Sequence, residues 1–279
     1  MILVTGATGN IGSALLEGLH RDGVRPVRGL TRDTARADFP DGVEAVRGDL
    51  SRPASLSGVF SGVEDLFLVT GVCTEAAVVR AARQAGVRRV VLVSSITVRT
   101  HPHLPAAQEN LAVETSLRAS GMEWTILRPT QFASNTLLWS RSVRDRAAVH
   151  APYADTGLPT IHPADIADVA RAVLREPGHA GRIYELTGPE RISARQQTAA
   201  VAKAIGRELA FHEIGREEAH QQMTPHLGAQ TAAAVLDLLG GDVNDELLEV
   251  RDTVERITGT AGRTFQQWAA ENAAAFGAG

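Results

Sequence analysis

The stretch "ILVTGATGNIGSALLEGL", residues 2–19, decides the fold. It opens on apolar and β-branched residues, passes through glycines at 6, 9 and 12, and carries Ile11, Leu15, Leu16 and Leu19 at helical spacing. That order predicts a buried strand, a tight glycine turn and an amphipathic helix. Glycine lets a backbone turn where a Cβ would collide, and lets a ligand approach the chain closely. The turn's N–H groups and the positive end of the helix then face an anion, usually a pyrophosphate. A glycine triplet alone is a weak signal. One that directly follows a strand and directly precedes a helix has the context dinucleotide binding requires. Gly6, Thr8, Gly9, Asn10, Ile11 and Gly12 are therefore the candidate pyrophosphate loop.

Outward from this loop, short apolar runs alternate with amphipathic segments. Strands are expected at 2–5, 26–31, 43–47, 65–70, 89–94 and 124–128, and helices at 10–21, 74–86 and 107–120, with a short one at 53–60. Runs apolar throughout, such as "LFLVT" (66–70) and "VVLVS" (90–94), suit parallel strands buried on both faces. The alternation implies right-handed crossovers and an α/β fold with a Rossmann-type doubly wound parallel sheet. Later in the chain, "HPADIADVARAVL" (162–174) reads as a helix, "RIYELTG" (182–188) as a strand, and "SARQQTAAVAKAIG" (193–206) as a helix opened by Ser193. Helical segments follow at 216–223, 230–240, 245–258 and 263–276. The expected division is a nucleotide-binding domain over 1–150 and a smaller, mostly helical lobe over 151–279 that completes the sheet and covers the substrate cleft.

Composition narrows the partners. The 279-residue chain has a formal net charge of −4 and no basic stretch interleaved with aromatics, which argues against nucleic acid. Cys73 is the sole cysteine, so no internal disulfide or thiolate metal cluster is expected, and no other cluster has metal-ligand spacing. No apolar run approaches the ~18 residues of a membrane span, and a strand starting at residue 2 leaves no room for a leader. A cytoplasmic protein with a small-molecule partner is expected, and a homo-oligomer is compatible with this reading.

The second strand bears on which dinucleotide binds. NAD binders place an acid about 20 residues beyond the glycine loop, on the ribose 2′-hydroxyl. In "PVRGLTRD" (26–33) the strand ends at Thr31 and Arg32, and the first acid, Asp33, comes after the arginine. A guanidinium there suits a 2′-phosphate, so NADP(H) is favoured and NAD(H) is the lesser alternative.

The spacing in "TGATGNIG" (5–12), together with "VRGDL" (46–50), "SGMEWTILRPTQFASN" (120–135) and "HPADIADVARAVL", resembles the NmrA-like group of atypical short-chain dehydrogenases. That group includes NADPH-dependent quinone and azo reductases and redox-sensing regulators. The resemblance spans residues 1 to about 190. It implies that Asp49 bonds the adenine amino group and Leu50 packs on its ring, while Thr70, Gly71 and Val72 pass beneath the adenosine ribose. Ser94 and Ser95 would end strand five near the nicotinamide, and Pro129, Thr130, Gln131 and Phe132 would border nicotinamide and substrate. The alternative for the serines is a pair of strand-end hydroxyls bonded to backbone.

One departure matters for chemistry. Typical short-chain dehydrogenases use Tyr-x-x-x-Lys, the lysine tuning the tyrosine as a proton donor. Here Tyr153 and Tyr184 are followed four residues later by Gly157 and Gly188, and the only lysine is Lys203. In "AAQENLAVE" (106–114), Ala106 and Asn110 stand at the two positions. Hydride transfer to a quinone or enone relaxes the demand for a tuned acid, because the negative charge is delocalised and placed hydrogen bonds suffice. Histidines are natural donors. His101 and His103, in "THPHLP" (100–105) after strand five, are the first candidates, with Ser95 beside them. His150 and Tyr153, in "HAPYADTG" (150–157), come second, and His162 reads as structural. Phe132, Trp139, His150 and Tyr153 are the candidate substrate lining.

Three functions remain open. The first is an NADPH-dependent oxidoreductase acting on a quinone, enone or aromatic compound; arginine-rich, lysine-poor coding suggests an aromatic polyketide as one setting. The second is a tailoring oxygenase of such aromatics on the same fold. The third is a non-catalytic NADP(H)-sensing regulator.

Overall fold

The apolar runs form strands whose pairing order reverses once, next to the glycine loop. A computed structural model describes residues 1–56, 58–71 and 75–277. Its strands are β1 (Ile2–Val4), β2 (Val27–Thr31), β3 (Val43–Arg47), β4 (Asp65–Val69), β5 (Arg89–Val93), β6 (Glu123–Pro129), β7 (Ala148–Ala151), β8 (Arg182–Leu186) and β9 (Ala210–Glu213). The helices are α1 (Asn10–Arg21), α2 (Glu75–Gln84), α3 (Thr97–Thr100), α4 (Pro105–Arg118), α5 (Ser140–Arg146), α6 (Pro163–Arg175), α7 (Ala194–Ile205), α8 (Arg216–Leu227), α9 (Ala229–Leu236), α10 (Asp245–Leu248), α11 (Thr253–Thr258) and α12 (Phe265–Glu271).

The chain forms two units. The first comprises Met1–Pro129, Pro163–Leu186 and Thr253–Thr260, and the second Thr130–His162, Thr187–Asp252 and Ala261–Gly279. They interleave along the chain, so a single cut at residue 150 does not describe them. The reason lies in the first unit's sheet. β8 pairs with β6 as the seventh strand, and α6 packs beside α1.

In the first unit all seven strands run parallel in the order β3-β2-β1-β4-β5-β6-β8. The order reverses between β1 and β4, the switch point where open α/β sheets bind ligands. Leu3, Val4, Leu66, Phe67, Leu68, Val90, Val91 and Leu92 are fully buried, as strands covered on both faces require. Gly18 lets α1 and α6 approach, since a Cβ there would press on the Arg171 side chain. Arg171 and Arg175 then both reach Asp22, at 2.6 and 2.8 Å, and the hydrogen bond from Arg171 holds the Asp22 carboxyl below its ordinary range.

A charged node also lies inside this unit. Glu114 of α4 is completely buried. Its Oε1 accepts from the Ser94 hydroxyl at 2.8 Å and from Arg128 Nε at 2.9 Å; its Oε2 accepts from Arg128 Nη2 at 2.7 Å and Arg118 Nη2 at 3.1 Å. Desolvating a carboxylate costs several kcal/mol, roughly, unless hydrogen-bonded countercharges replace the water. Here two guanidiniums and a hydroxyl do so, which joins α4 to the carboxyl ends of β5 and β6.

The second unit is built on the two-stranded parallel sheet β7–β9, whose inner neighbours include Val149, Ile192, Val201, Phe265, Trp268 and Phe276. Ser193 opens α7 with a capping box: its Oγ accepts from Gln196 N at 3.3 Å and its N–H donates to Gln196 Oε1 at 2.9 Å. Thr264 and Gln267 cap α12 in the same way.

The structure corrects several helical expectations. The segment read as one helix over 245–258 is two, α10 and α11, and they belong to different units. Glu249 is extended and breaks the run. The 230–240 segment is α9 continued by a wider turn over Asp237–Gly241, with the break at Gly240. The helix expected at 53–60 is a 3-10 turn, Pro53–Leu56. Among the described residues, no helix is long and apolar enough to cross a membrane.

Replacing Glu114 with Gln leaves the buried Arg128 guanidinium, with the exposed Arg118 beside it, short of a countercharge, so stability is expected to fall by about 3 kcal/mol. Thermal melts followed by circular dichroism should show Tm lowered by about 10 °C for a chain of this size.

Candidate functional site

The glycine loop is shaped by its own backbone. Gly6 has a φ of +59°, and its carbonyl accepts the Gly9 N–H at 2.9 Å. Gly12 is required because a Cβ there would overlap the Gly6 carbonyl and the start of Ala7. Gly9 is the N-cap of α1 and makes no side-chain cap, and the first helical turn holds no acid. The helix's leading N–H groups are thus left for an external anion. Thr8, Gly9 and Asn10 are exposed beside them, while Ile11 turns into the core. Sequence reading missed the anchor of this loop: Thr5 is fully buried, its N–H bonds Phe67 O at 3.0 Å and its Oγ1 accepts Val69 N at 3.1 Å.

The end of β2 separates Arg32 from Asp33. Asp33 turns back on its own backbone, its Oδ1 accepting Ala35 N at 3.0 Å and its Oδ2 lying 3.5 Å from Arg36. Thr31 Oγ1 takes the Asp33 N–H at 3.2 Å. Arg32 is exposed and has no hydrogen bond or ion pair among the described residues. Its charge also acts on Asp49, whose carboxyl is held below its ordinary range, first by the Ser51 hydroxyl and then by the Ser51 N–H. Those two bonds, at 2.7 and 3.0 Å, both use Oδ1 of Asp49. Leu50 packs against the core beside it. Arg32, Asp49 and Leu50 thus gather at one edge of the sheet. Thr70 is fixed by bonds to Val93 O from its N–H at 3.2 Å and its hydroxyl at 3.1 Å. Gly71 follows with φ +132°, and Val72 lies outside the described residues.

At the ends of β5 and β6 the candidate residues divide. Ser94 gives its hydroxyl to Glu114, a side-chain partner rather than backbone. Ser95 Oγ accepts from Thr97 N at 3.2 Å and from Thr97 Oγ1 at 2.8 Å, which starts α3. Ile96 N–H donates to Pro129 O at 3.0 Å, tying the strand ends together. "THPHLP" does not leave β5 as an open loop, because α3 intervenes and His101 caps it. His101 is only 1% exposed, with Nδ1 2.8 Å from Thr100 Oγ1. His101, a first candidate for the donor, is thus enclosed at the end of α3. His103 is exposed, its ring 5.9 Å from that of His101. Asn110 Nδ2 donates to Ala106 O at 2.8 Å, so the two positions of the missing Tyr–Lys pair are bonded to each other.

The second unit contains an open pocket. Trp139, His150 and Tyr153 line it, with Gln131, Leu158, Ile214, Gln222, Met223 and Leu239. Phe132 is not among the lining residues; its backbone instead bridges to Ile161. His150 stacks on His212 across β7–β9, centroids 4.9 Å apart. Thr130 is buried, and its hydroxyl has no partner among the described residues. His162 pairs with Glu271 at 3.1 Å, in keeping with a structural role.

The cradle at Gly12, the uncapped start of α1 and the unpaired Arg32 together fit a dinucleotide carrying an extra phosphate. A family model described as NAD(P)H-binding matches residues 6–177. The chain belongs to this family. Over its full length it resembles reductases. It is 38% identical over 285 residues to a (4-alkanoyl-5-oxo-2,5-dihydrofuran-3-yl)methyl phosphate reductase of Streptomyces griseus, covering 99% of each chain. It is 34% identical over 286 residues to an NAD(P)H azoreductase of Xenophilus azovorans, covering 100% of each. A solved NADPH-dependent quinone oxidoreductase of Escherichia coli, complexed with NADPH, matches with TM-score 0.81 at 25% identity, over 97% of this chain and 99% of that one.

The geometry at Arg32 generates a direct test. Calorimetric titration should show NADPH binding at least tenfold tighter than NADH, about 1.4 kcal/mol. Arg32→Ala should remove most of that difference.

Proposed function

We infer that the chain is a cytoplasmic NADPH-dependent reductase of a neutral, conjugated carbonyl compound, an enone or quinone. Bound NADPH supplies the hydride. The α1 N-terminus would receive the pyrophosphate, Arg32 the 2′-phosphate and Asp49 the adenine amino group. The substrate would occupy the cavity lined by Trp139, His150 and Tyr153. Thr130 offers a buried hydroxyl whose hydrogen-bonding capacity a ligand would satisfy.

The observation that carries the substrate class is the make-up of that lining. It holds aromatic and aliphatic side chains with neutral amides and hydroxyls, His150 as its basic residue, and neither Arg nor Lys among the described residues. Such a wall suits an apolar acceptor with a few directed hydrogen bonds. The named substrates of the similar proteins support the same class. Azo compounds, quinones and an acylated dihydrofuranone all spread the added charge over several atoms. The Streptomyces relative's substrate also carries a phosphate, for which this lining offers no strong cation, so the acceptor here is read as unphosphorylated. The absent Tyr-x-x-x-Lys pair points the same way, because an isolated ketone yields a localised alkoxide that needs a placed acid.

Steady-state assays should show NADPH oxidation with naphthoquinones and cyclic enones and none with simple aliphatic ketones. Efficient reduction of an aliphatic ketone would overturn this reading. Silence towards every acceptor, with NADPH tightly bound, would favour a sensor.

A further inference from the structure

Tyr153 is held in the second unit with unusual definition. Its φ is +54°, a left-handed conformation that side chains other than glycine rarely adopt. The neighbouring turn is pinned: Tyr153 O accepts Thr156 N at 3.1 Å, Ala154 N–H donates to Glu213 at 3.1 Å, and Asp155 pairs with Arg195. The ring packs against Gly240, where a Cβ would overlap it. Behind the hydroxyl stands Arg216, whose Nη1 donates to it at 2.9 Å while Nη2 donates to Asp237 at 2.7 Å. Gly241 keeps the space for this contact, since a Cβ there would overlap Arg216 Nη1. The hydroxyl and the carboxylate together hold Arg216 above its ordinary range.

The direction of the bonds is decisive. Arginine donates only, so the tyrosine oxygen is the acceptor in this pair and its own O–H hydrogen is left to donate. Among the described residues no acceptor takes it, and Tyr153 lines the substrate cavity. We propose that Tyr153 is a catalytic residue whose hydroxyl donates to the substrate carbonyl oxygen as negative charge develops there, with Arg216 as its positioning residue. This rests on the reductase reading above.

In reduction of an enone, a hydride from NADPH bonds to the β-carbon. The carbon–carbon π pair shifts to the bond between the α-carbon and the carbonyl carbon, and the carbonyl π pair moves to oxygen. Tyr153 stabilises that oxygen and keeps its proton. Water protonates the α-carbon, and NADP⁺ is the oxidised product. A hydroxyl held in place and backed by a cation needs little reorganisation as the charge grows. The other titratable groups around it are Asp237 behind Arg216, Glu213 at the turn, and the stacked His150 and His212.

The test uses the full chain loaded with NADP⁺ and two probes, the anion of 2-hydroxy-1,4-naphthoquinone and neutral 1,4-naphthoquinone. The anion carries its charge on a delocalised oxygen, as the reduced intermediate does. In calorimetric titrations Tyr153→Phe should weaken anion binding by about tenfold and change the neutral quinone by less than twofold. Phe keeps the ring on Gly240, so the fold is retained. Arg216→Met should act like Tyr153→Phe, and Arg216→Lys should restore part of the selectivity. Enone turnover by Tyr153→Phe should fall by about 10²-fold in kcat with KM unchanged. Unchanged preference for the anion in Tyr153→Phe would overturn the proposal. Failure of the unmodified protein to reduce any conjugated acceptor would overturn the reductase reading instead, and the anion selectivity would still judge the hydroxyl.

Discussion

Glu114, a carboxylate with no access to water, fixes the carboxyl edge of the sheet. Its oxygens receive four donors, from Arg128, Arg118 and Ser94. Each donor comes from a position that must be right for a dinucleotide fold: the end of β5, the end of β6, and α4 between them. Breaking a buried pair is costly because the surviving charge is stranded, so the arrangement is close to all-or-none. It consumes the Ser94 hydroxyl, which makes that residue part of the frame.

A second constraint acts at the same carboxyl edge, where β1 ends. The glycine loop depends on Gly12 lying against the Gly6 carbonyl and on Thr5 bonding across to β4. These contacts fix the start of α1, which no side chain caps. At the end of β2, the acid that would repel a 2′-phosphate folds onto Ala35 N, and the guanidinium beside it stays in solvent.

Local features were legible in the sequence. The strand at 43–47 and the helix at 10–21 coincide with β3 and α1, and Ser193 caps α7 as its spacing implies. These depend on neighbours in the chain, which periodicity and capping rules report directly. What depends on distant neighbours was hidden. Glu114 and Arg128 stand in quoted segments, yet nothing local says that they meet, although a charge within the apolar run "TILRP" (125–129) was a usable hint. His101 reads as a loop residue because its burial comes from packing rather than pattern. Tyr153, Arg216 and Asp237 lie 63 and 21 positions apart, so no spacing rule joins them. The interleaving of the two units is hidden for the same reason, since β8 joins the sheet, and α11 packs on α6, from far along the chain.

The central claim is that this chain passes a hydride from NADPH to a conjugated acceptor. Single-turnover mixing of the NADPH-loaded protein with a cyclic enone, repeated with NADPH deuterated at the transferred position, tests it most directly. The account predicts loss of nicotinamide absorbance only when acceptor is present, a primary isotope effect on that loss, and deuterium at the β-carbon of the product. Absorbance that persists beside every acceptor, or product free of deuterium, would contradict it.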